Sequence, residues 1–405
     1  MNSFSRLTRL PPYVFTVMGQ LKEELIAKKI EVYDFGLGNP DQPTPTHIID
    51  ALNEAVKNPL LHRYVAAKGI LPLRQAIANW YGNRFNVDVN PDSEVLVTVG
   101  SKEGLAHLAL AVLDEKSTAL VPNPCYPVHY YGCLIAGATV HSLELTDLNQ
   151  FLHSIEKAVK TVSPKPTVLI LNFPSNPTTQ IVDLAFFERI VALAKEHQFW
   201  VVHDFAYADI VFEGYKAPSI LEVPGAFEVA IESYTLSKSY NMAGWRIGFL
   251  CGNKTLVQAT AKIKSYIDYG TFAPIQMAAV AALESPENTV ADIRRQYEYR
   301  RNVMCRGLET AGFKVNIPKA TMFLWLKIPD AYVEMGSFEF AKLLLREAHV
   351  VVSPGIGFGS AGEHYVRLSL VENNDRMELA LKNIQRVMQT RVHYEESVPG
   401  VISSA

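Results

Sequence analysis

Lys238 stands among hydroxyls, with Thr235, Ser237, Ser239 and Tyr240 around it, at the end of an apolar run that continues through small residues to Arg246. An amine held out of water and close to another cation loses basicity from its usual pKa of about 10.4, which frees it to attack a carbonyl. A solvated surface lysine is the plainer alternative for the same residues.

Three more segments place polar residues just after apolar runs, where ligands of open α/β sheets bind. Val95 to Val99 leads into Gly100, Ser101, Lys102, Glu103 and Gly104 and then helical periodicity, an arrangement whose free N–H groups and dipole suit an anion. A glycine-bearing turn with Ser101 as a simple N-cap explains it equally. Leu169 to Asn172 leads into Phe173, Pro174, Ser175, Asn176 and Pro177, whose prolines fix a turn around Asn176; an asparagine serving only the turn is the alternative. Trp200 to His203 ends on Asp204, ahead of Tyr207, and a carboxylate closing a buried strand must find a partner.

Three tempting patterns fail on inspection. A hydrolase built from His203, Asp204 and Ser101 is disfavoured, because strand neighbours point to opposite faces and no G-x-S-x-G run exists. Gly357 to Gly362 matches G-x-G-x-x-G, but His364 to Leu370 reads as a strand where a dinucleotide site needs a helix. Its glycines fit a loop instead. Asn253, Lys254 and Thr255 form a glycosylation sequon that a cytosolic chain leaves unused.

The elements that must position these residues alternate between Glu94 and Cys251. Strand-like runs at Val95–Val99, Thr118–Val121, Val168–Asn172, Phe199–His203, Tyr234–Leu236 and Ile247–Cys251 are separated by helical stretches such as that of Leu105, Leu108, Ala109 and Val112. A mostly parallel sheet covered by helices follows. After Pro286 the texture changes to a long amphipathic helix ending at Gly312, a strand at Met322–Lys327, a helix at Phe338–Ala348, strands at Val350–Ser353 and Tyr365–Leu370, and a last helix. The expected organisation is an α/β protein: an N-terminal arm over 1–49 that joins the small domain, a large α/β domain over 50–286, and a small α+β domain over 287–405, its tail from Glu395 frayed.

The composition is that of a folded globular chain: 405 residues, 48% hydrophobic and 20% charged. A net charge of -3 gives no reason to expect nucleic acid, and no apolar run approaches the roughly 20 residues that cross a bilayer. Small molecules are the expected partners. Arg6 and Arg9 without an acid loosely resemble a targeting peptide, but Pro11 and Pro12 interrupt the apolar part and no cleavage site follows. Four scattered cysteines without CxxC spacing indicate reduced thiols, no metal site and a cytoplasmic location.

Taken together, the chain from Leu10 to about Met388 resembles the class I aminotransferases of fold type I. The runs Leu10–Phe15, Gly100–Leu108, Thr235–Phe249, Ile263–Phe272 and Ser353–Gly359 are similar to the bacterial alanine-using members almost letter for letter. The resemblance implies pyridoxal 5'-phosphate, held covalently by Lys238, which also moves the proton at the substrate carbon. Asp204 would pair with the ring nitrogen, Tyr207 and Asn176 would bond the ring's phenolic oxygen, and Tyr126 would stack on the ring. Ser101, Lys102, Thr235, Ser237 and Arg246 would take the phosphate, joined by Tyr64 from a second subunit, hence a homodimer with shared sites. Arg367, helped by Gly38 and Asn176, would fork the substrate carboxylate in a cleft between the domains.

Lys102 and Thr179 depart from the commonest pattern, which puts side-chain selectivity in doubt. The implied reaction is amino transfer between L-alanine and 2-oxoglutarate by a ping-pong cycle, with aspartate, methionine or LL-diaminopimelate as alternative amino donors. A non-catalytic regulator on the same fold would carry a DNA-binding module, for which no segment is left over.

Overall fold

The computed structural model describes residues 4, 7–11 and 14–396, with side chains to 389. They form two compact units. One holds Gln42–Arg295 and Lys319–Thr321 with the described part of Met1–Pro11; the other holds 14–41, Gln296–Pro318 and Met322 onward.

The first unit is built on seven strands: β1 (Val95–Thr98), β2 (Thr118–Asn123), β3 (Thr139–Glu144), β4 (Pro166–Leu171), β5 (Trp200–Asp204), β6 (Ala230–Thr235) and β7 (Gly248–Gly252). They lie in the order β1-β7-β6-β5-β4-β2-β3. All pairings are parallel except those of β7, which runs antiparallel between β1 and β6. Gly248, at the start of β7, therefore pairs with Thr98 on one side and Thr235 on the other. Two loops that follow different strands are drawn to one sheet end.

Successive residues of a strand face opposite sides, and the core shows it: Leu169, Leu171 and Val201 enter one apolar cluster while Val168, Ile170 and Val202 enter the other. Both faces are covered, which is why these strands read as continuous apolar runs. Two strands read differently in the sequence. β3 was not expected, because it is an edge strand with only Leu143 fully buried. β6 starts four residues before the expected Tyr234, because buried Glu232 and Ser233 interrupt its apolar run.

Residues 42–49, expected with the small domain, belong to the first unit. Thr44 Oγ1 donates to the Asn241 carbonyl at 2.8 Å, and the helix Thr46–Ala55 packs on the helix Ala273–Leu283. Lys319–Thr321 also joins this unit, through a bridge from Ala320 to Val211.

In the second unit, Phe323–Lys327, Tyr365–Ser369 and Ser353–Pro354 form an antiparallel sheet, and Tyr33–Asp34 pairs in parallel with Val350–Val351. The expected helix at Phe338–Ala348 begins at Gly336 and widens to a π-helix over Leu344–Ala348. Two short 3-10 turns occupy the glycine run before Tyr365; Gly355 and Gly362 pack backbone on backbone, so close that a Cβ on Gly355 would meet the Gly362 carbonyl at 2.0 Å. No helix follows. The last helix, Asn374–Glu396, covers the start of the tail, and the rest of that expectation lies outside the described residues.

Candidate active site

β5 delivers Asp204 to the sheet end with 4% exposure. Its Oδ2 accepts from His129 Nε2 at 2.9 Å, and its buried Oδ1 has no hydrogen-bond partner. An ionised carboxylate oxygen left dry costs several kcal/mol unless a donor reaches it, so this atom marks the place of a donor from outside the protein. His203 points the other way, fully buried, with Nδ1 at 2.8 Å from Glu232 and Nε2 at 2.9 Å from the Phe173 carbonyl oxygen. The structure keeps His203 and Asp204 apart, as the alternation of strand faces requires.

The turn after β4 is held by its own side chains. Asn172 Oδ1 accepts from the Asn176 amide at 2.8 Å, and Asn172 Nδ2 donates to the Asp204 carbonyl at 2.7 Å, which ties the turn of Asn176 to the end of β5. Thr179 sits at φ 60, a left-handed conformation that glycine adopts at no steric cost. That is why its identity looked unusual.

β6 runs into the short helix Leu236–Ser239, with Lys238 half-buried on it. Thr235 caps the helix: its Oγ1 accepts from the Ser237 amide at 3.3 Å and lies 2.8 Å from Ser237 Oγ. After β1 the helix Gly100–Val112 starts with Gly100 at φ +74. Arg246 lies so close to Gly100 that an added Cβ would meet Nη2 at 2.5 Å, and its Nη2 donates to the Val99 carbonyl at 3.3 Å. A Cβ on Gly248 would approach the Ser101 amide nitrogen at 3.0 Å. Ser101 and Lys102 open a helix, Arg246 lies beside Gly100, and Thr235 pairs with Gly248 at the same sheet end, a grouping of amides, hydroxyls and a cation that suits an anion.

Glu103, on the same helix, fastens the cradle by accepting from the Val99 amide at 2.7 Å. Burial raises its pKa against the pull of nearby Lys264. Glu103, His107 and Asp268 could in principle hold a metal, but the wholly buried Lys264 ammonium already lies 3.3 Å from Glu103 and 2.9 Å from Asp268. The cluster has its cation.

Tyr126 precedes the helix Pro127–Ala136, with its ring 5.8 Å from that of His129 and 5.8 Å from Lys102 Nζ. Tyr207 is buried on the segment leaving β5. Tyr64 is 93% exposed beside Tyr269. In the second unit Arg367 is 5% exposed, donates to the Gly36 carbonyl at 2.9 Å, and lies over the rings of Phe323 at 4.2 Å and Phe358 at 4.7 Å. Gly38 meets the same Phe323 ring, which an added Cβ would approach to 2.7 Å. His129, which sequence reading missed, is a lone histidine on an apolar helix; its only signal was the need of a buried imidazole for a partner.

The donor set fits pyridoxal phosphate: an unpartnered buried carboxylate oxygen for a protonated ring nitrogen, and a glycine-lined cationic cradle for its phosphate. Comparison with known proteins agrees. The family model "Aminotransferase class I and II" matches residues 30–384. The glutamate-pyruvate aminotransferase AlaC of Escherichia coli is 55% identical, over 95% of this chain and 94% of its own. The LL-diaminopimelate aminotransferase of Moorella thermoacetica is 40% identical, over 96% and 99%. Among solved structures, substrate-bound BacF from Bacillus subtilis superposes with a TM-score of 0.88 at 35% identity, covering 96% of this chain and 98% of that one. The aspartate aminotransferase of Thermotoga maritima gives 0.88 at 28%, covering 96% and 100%. The chain belongs to the class I and II aminotransferases of fold type I, and is a pyridoxal-phosphate-dependent transaminase.

Proposed function

We propose that this enzyme moves the amino group between L-alanine and 2-oxoglutarate, giving pyruvate and L-glutamate in two half-reactions of a ping-pong cycle. The observation that carries the choice is the 55% identity to a protein named glutamate-pyruvate aminotransferase. The second reading, an LL-diaminopimelate donor, is favoured by several relatives of that name at about 40% identity.

Pyridoxal phosphate, when bound, supplies a carbonyl for amine exchange and a ring that draws electrons from the substrate carbon. The chain supplies the rest. Lys238 Nζ would hold the cofactor and, once displaced, would take the proton from substrate Cα. Asp204, oriented by His129, would keep the ring nitrogen protonated. Tyr207 and Asn176 would bond the cofactor's phenolic oxygen, Tyr126 would pack on its ring, and Ser101, Lys102, Thr235, Ser237 and Arg246 would take its phosphate. Arg367 would fork the substrate's α-carboxylate with help from the Gly38 amide; the Gly36 carbonyl and two aromatic rings fix its plane for that task.

The same reading makes the enzyme a homodimer in which Tyr64 reaches the partner's phosphate. Its support is the exposed apolar surface of Leu60, Tyr64, Tyr266, Ile267, Tyr269 and Phe272, more apolar side chain than a solvated face favours. A cytoplasmic location goes with four free, buried cysteines. Among the described residues, no helix is long and apolar enough to cross a membrane.

Half-reaction rates over an amino-acid panel test the proposal, followed by the change in cofactor absorbance in one cuvette. Alanine is expected to react fastest; alanine ranking far below aspartate or LL-diaminopimelate removes it.

A further inference from the structure

Asp209 has no part in the roles assigned so far, yet it joins two segments that carry them. It is 1% exposed and follows Asp204 and Tyr207 on one stretch of chain. Its Oδ2 accepts from the Tyr234 hydroxyl at 2.5 Å and from the Ser239 hydroxyl at 2.5 Å, and the two hydroxyl oxygens lie 2.9 Å apart. Tyr234 belongs to β6, and Ser239 is the residue after Lys238. The other carboxylate oxygen is paired with Arg84, whose Nη2 also donates to the Ala208 carbonyl at 3.2 Å. One oxygen of this buried carboxylate thus takes two hydroxyl donors and the other faces a cation, and hydrogen bonds to an ionised acceptor are roughly twice as strong as neutral ones. Burial, and then the negative charge of Asp209, hold the Tyr234 hydroxyl well above its ordinary pKa, so that hydroxyl stays a donor.

The place of this contact gives it meaning. The parallel ladder between β5 and β6 ends at Asp204 and Ser233, with one more bond from the Phe205 amide to the Ser233 carbonyl at 2.8 Å. Beyond it the two chains diverge, one to Tyr207 and the other to Lys238. We infer that Asp209 is a positioning residue for amino transfer: its carboxylate, neutralised by Arg84, ties the Lys238 turn to the segment bearing Asp204 and Tyr207. The tie sets the register between the reactive amine and the groups that hold the ring, and it rests on the assignment of Lys238 and Tyr207 made above.

The test uses the holoenzyme. Asp209→Asn removes the negative charge that Arg84 faces and replaces one acceptor oxygen by a donor, which must meet either Arg84 or the two hydroxyls, so the clamp loosens. The expected result is a kcat lower by on the order of tenfold or more, as small misplacements of reacting groups give, with KM for alanine within about twofold of the parent. The pH midpoint of the bound cofactor's absorbance shifts with it. Adding Arg84→Gln, which offers the amide an acceptor, restores both readouts. Ser239→Ala, which leaves the Arg84 pair intact, shifts the same midpoint and serves if Asp209→Asn does not fold. A parent-like midpoint in these variants overturns the inference, as does a loss of kcat that the second substitution leaves unrescued. Borohydride labelling of the parent that maps to a residue other than Lys238 instead overturns the underlying assignment, before any variant is made.

Discussion

His203 Nδ1 lies 2.8 Å from Glu232 Oε2, and both side chains are wholly buried within the sheet. Glu232 also accepts from Tyr81 at 2.8 Å, Ser219 at 2.9 Å and the Ile220 amide at 3.1 Å. The ring therefore spans from this carboxylate to the Phe173 carbonyl, at the root of the turn that carries Asn176. Glu232→Ala strands four donors in a dry core, and is expected to cost about 3 to 5 kcal/mol of stability. Urea unfolding measures it; a loss under 1 kcal/mol would show that the network contributes little.

Lys238→Ala is expected to abolish covalent cofactor capture and nearly all turnover. Borohydride reduction and peptide mapping of the parent should place the pyridoxyl label on Lys238 alone. A variant that turns over like the parent would sink the mechanism.

Asp204→Asn keeps the shape of the side chain but removes the charge whose Oδ1 is left for the ring. The expected loss in kcat is on the order of a hundredfold or more, the scale of one lost electrostatic partner. Steady-state kinetics at saturating cofactor check it, since weaker binding alone would be overcome there.

Arg367→Ala should raise KM for every amino-acid substrate alike, because the α-carboxylate is common to all of them. A loss of roughly a hundredfold in kcat/KM matches one buried charged contact. A variant that discriminates among amino acids would assign Arg367 to side-chain recognition instead.

The cysteine thiols give a pH signature. Burial pushes Cys125 and Cys133 up to about 12 and Cys305 up to about 11 from an ordinary 9.0. Thiols whose native pKa is raised stabilise the fold fully below about 9, and that contribution is lost as pH climbs through 9 towards 12, because only the unfolded chain ionises there. Thermal midpoints should accordingly fall above pH 9. Native protein at pH 8 should resist thiol labelling until it is denatured, and rapid labelling of the native state would contradict the burial.

What the sequence made legible follows physical rules. Asp204, Asn176 and Lys238 could be singled out as candidates because each follows an apolar run, where an open sheet presents its ligand groups. His129 could not, since its partner lies 75 residues away and nothing local announces it. Asp209 and Glu232 look like ordinary acids until the pairing of β5 with β6 is known. β3 lacks an apolar run because it is a solvated edge. The small-domain strands and the glycine loop were legible from their β-branched runs and turn residues, whereas the assignment of Lys319–Thr321 depends on a long-range bridge.

The antiparallel insertion of β7 has a consequence for biosynthesis. Gly248 completes the pairing of both Thr98 and Thr235, so the anion cradle needs a strand made last among the seven. A ribosome releases the chain from its N-terminus, and a nascent chain shorter than Gly252 lacks that strand. Vitamin-derived coenzyme should therefore be captured late, after most of the large unit has already been translated.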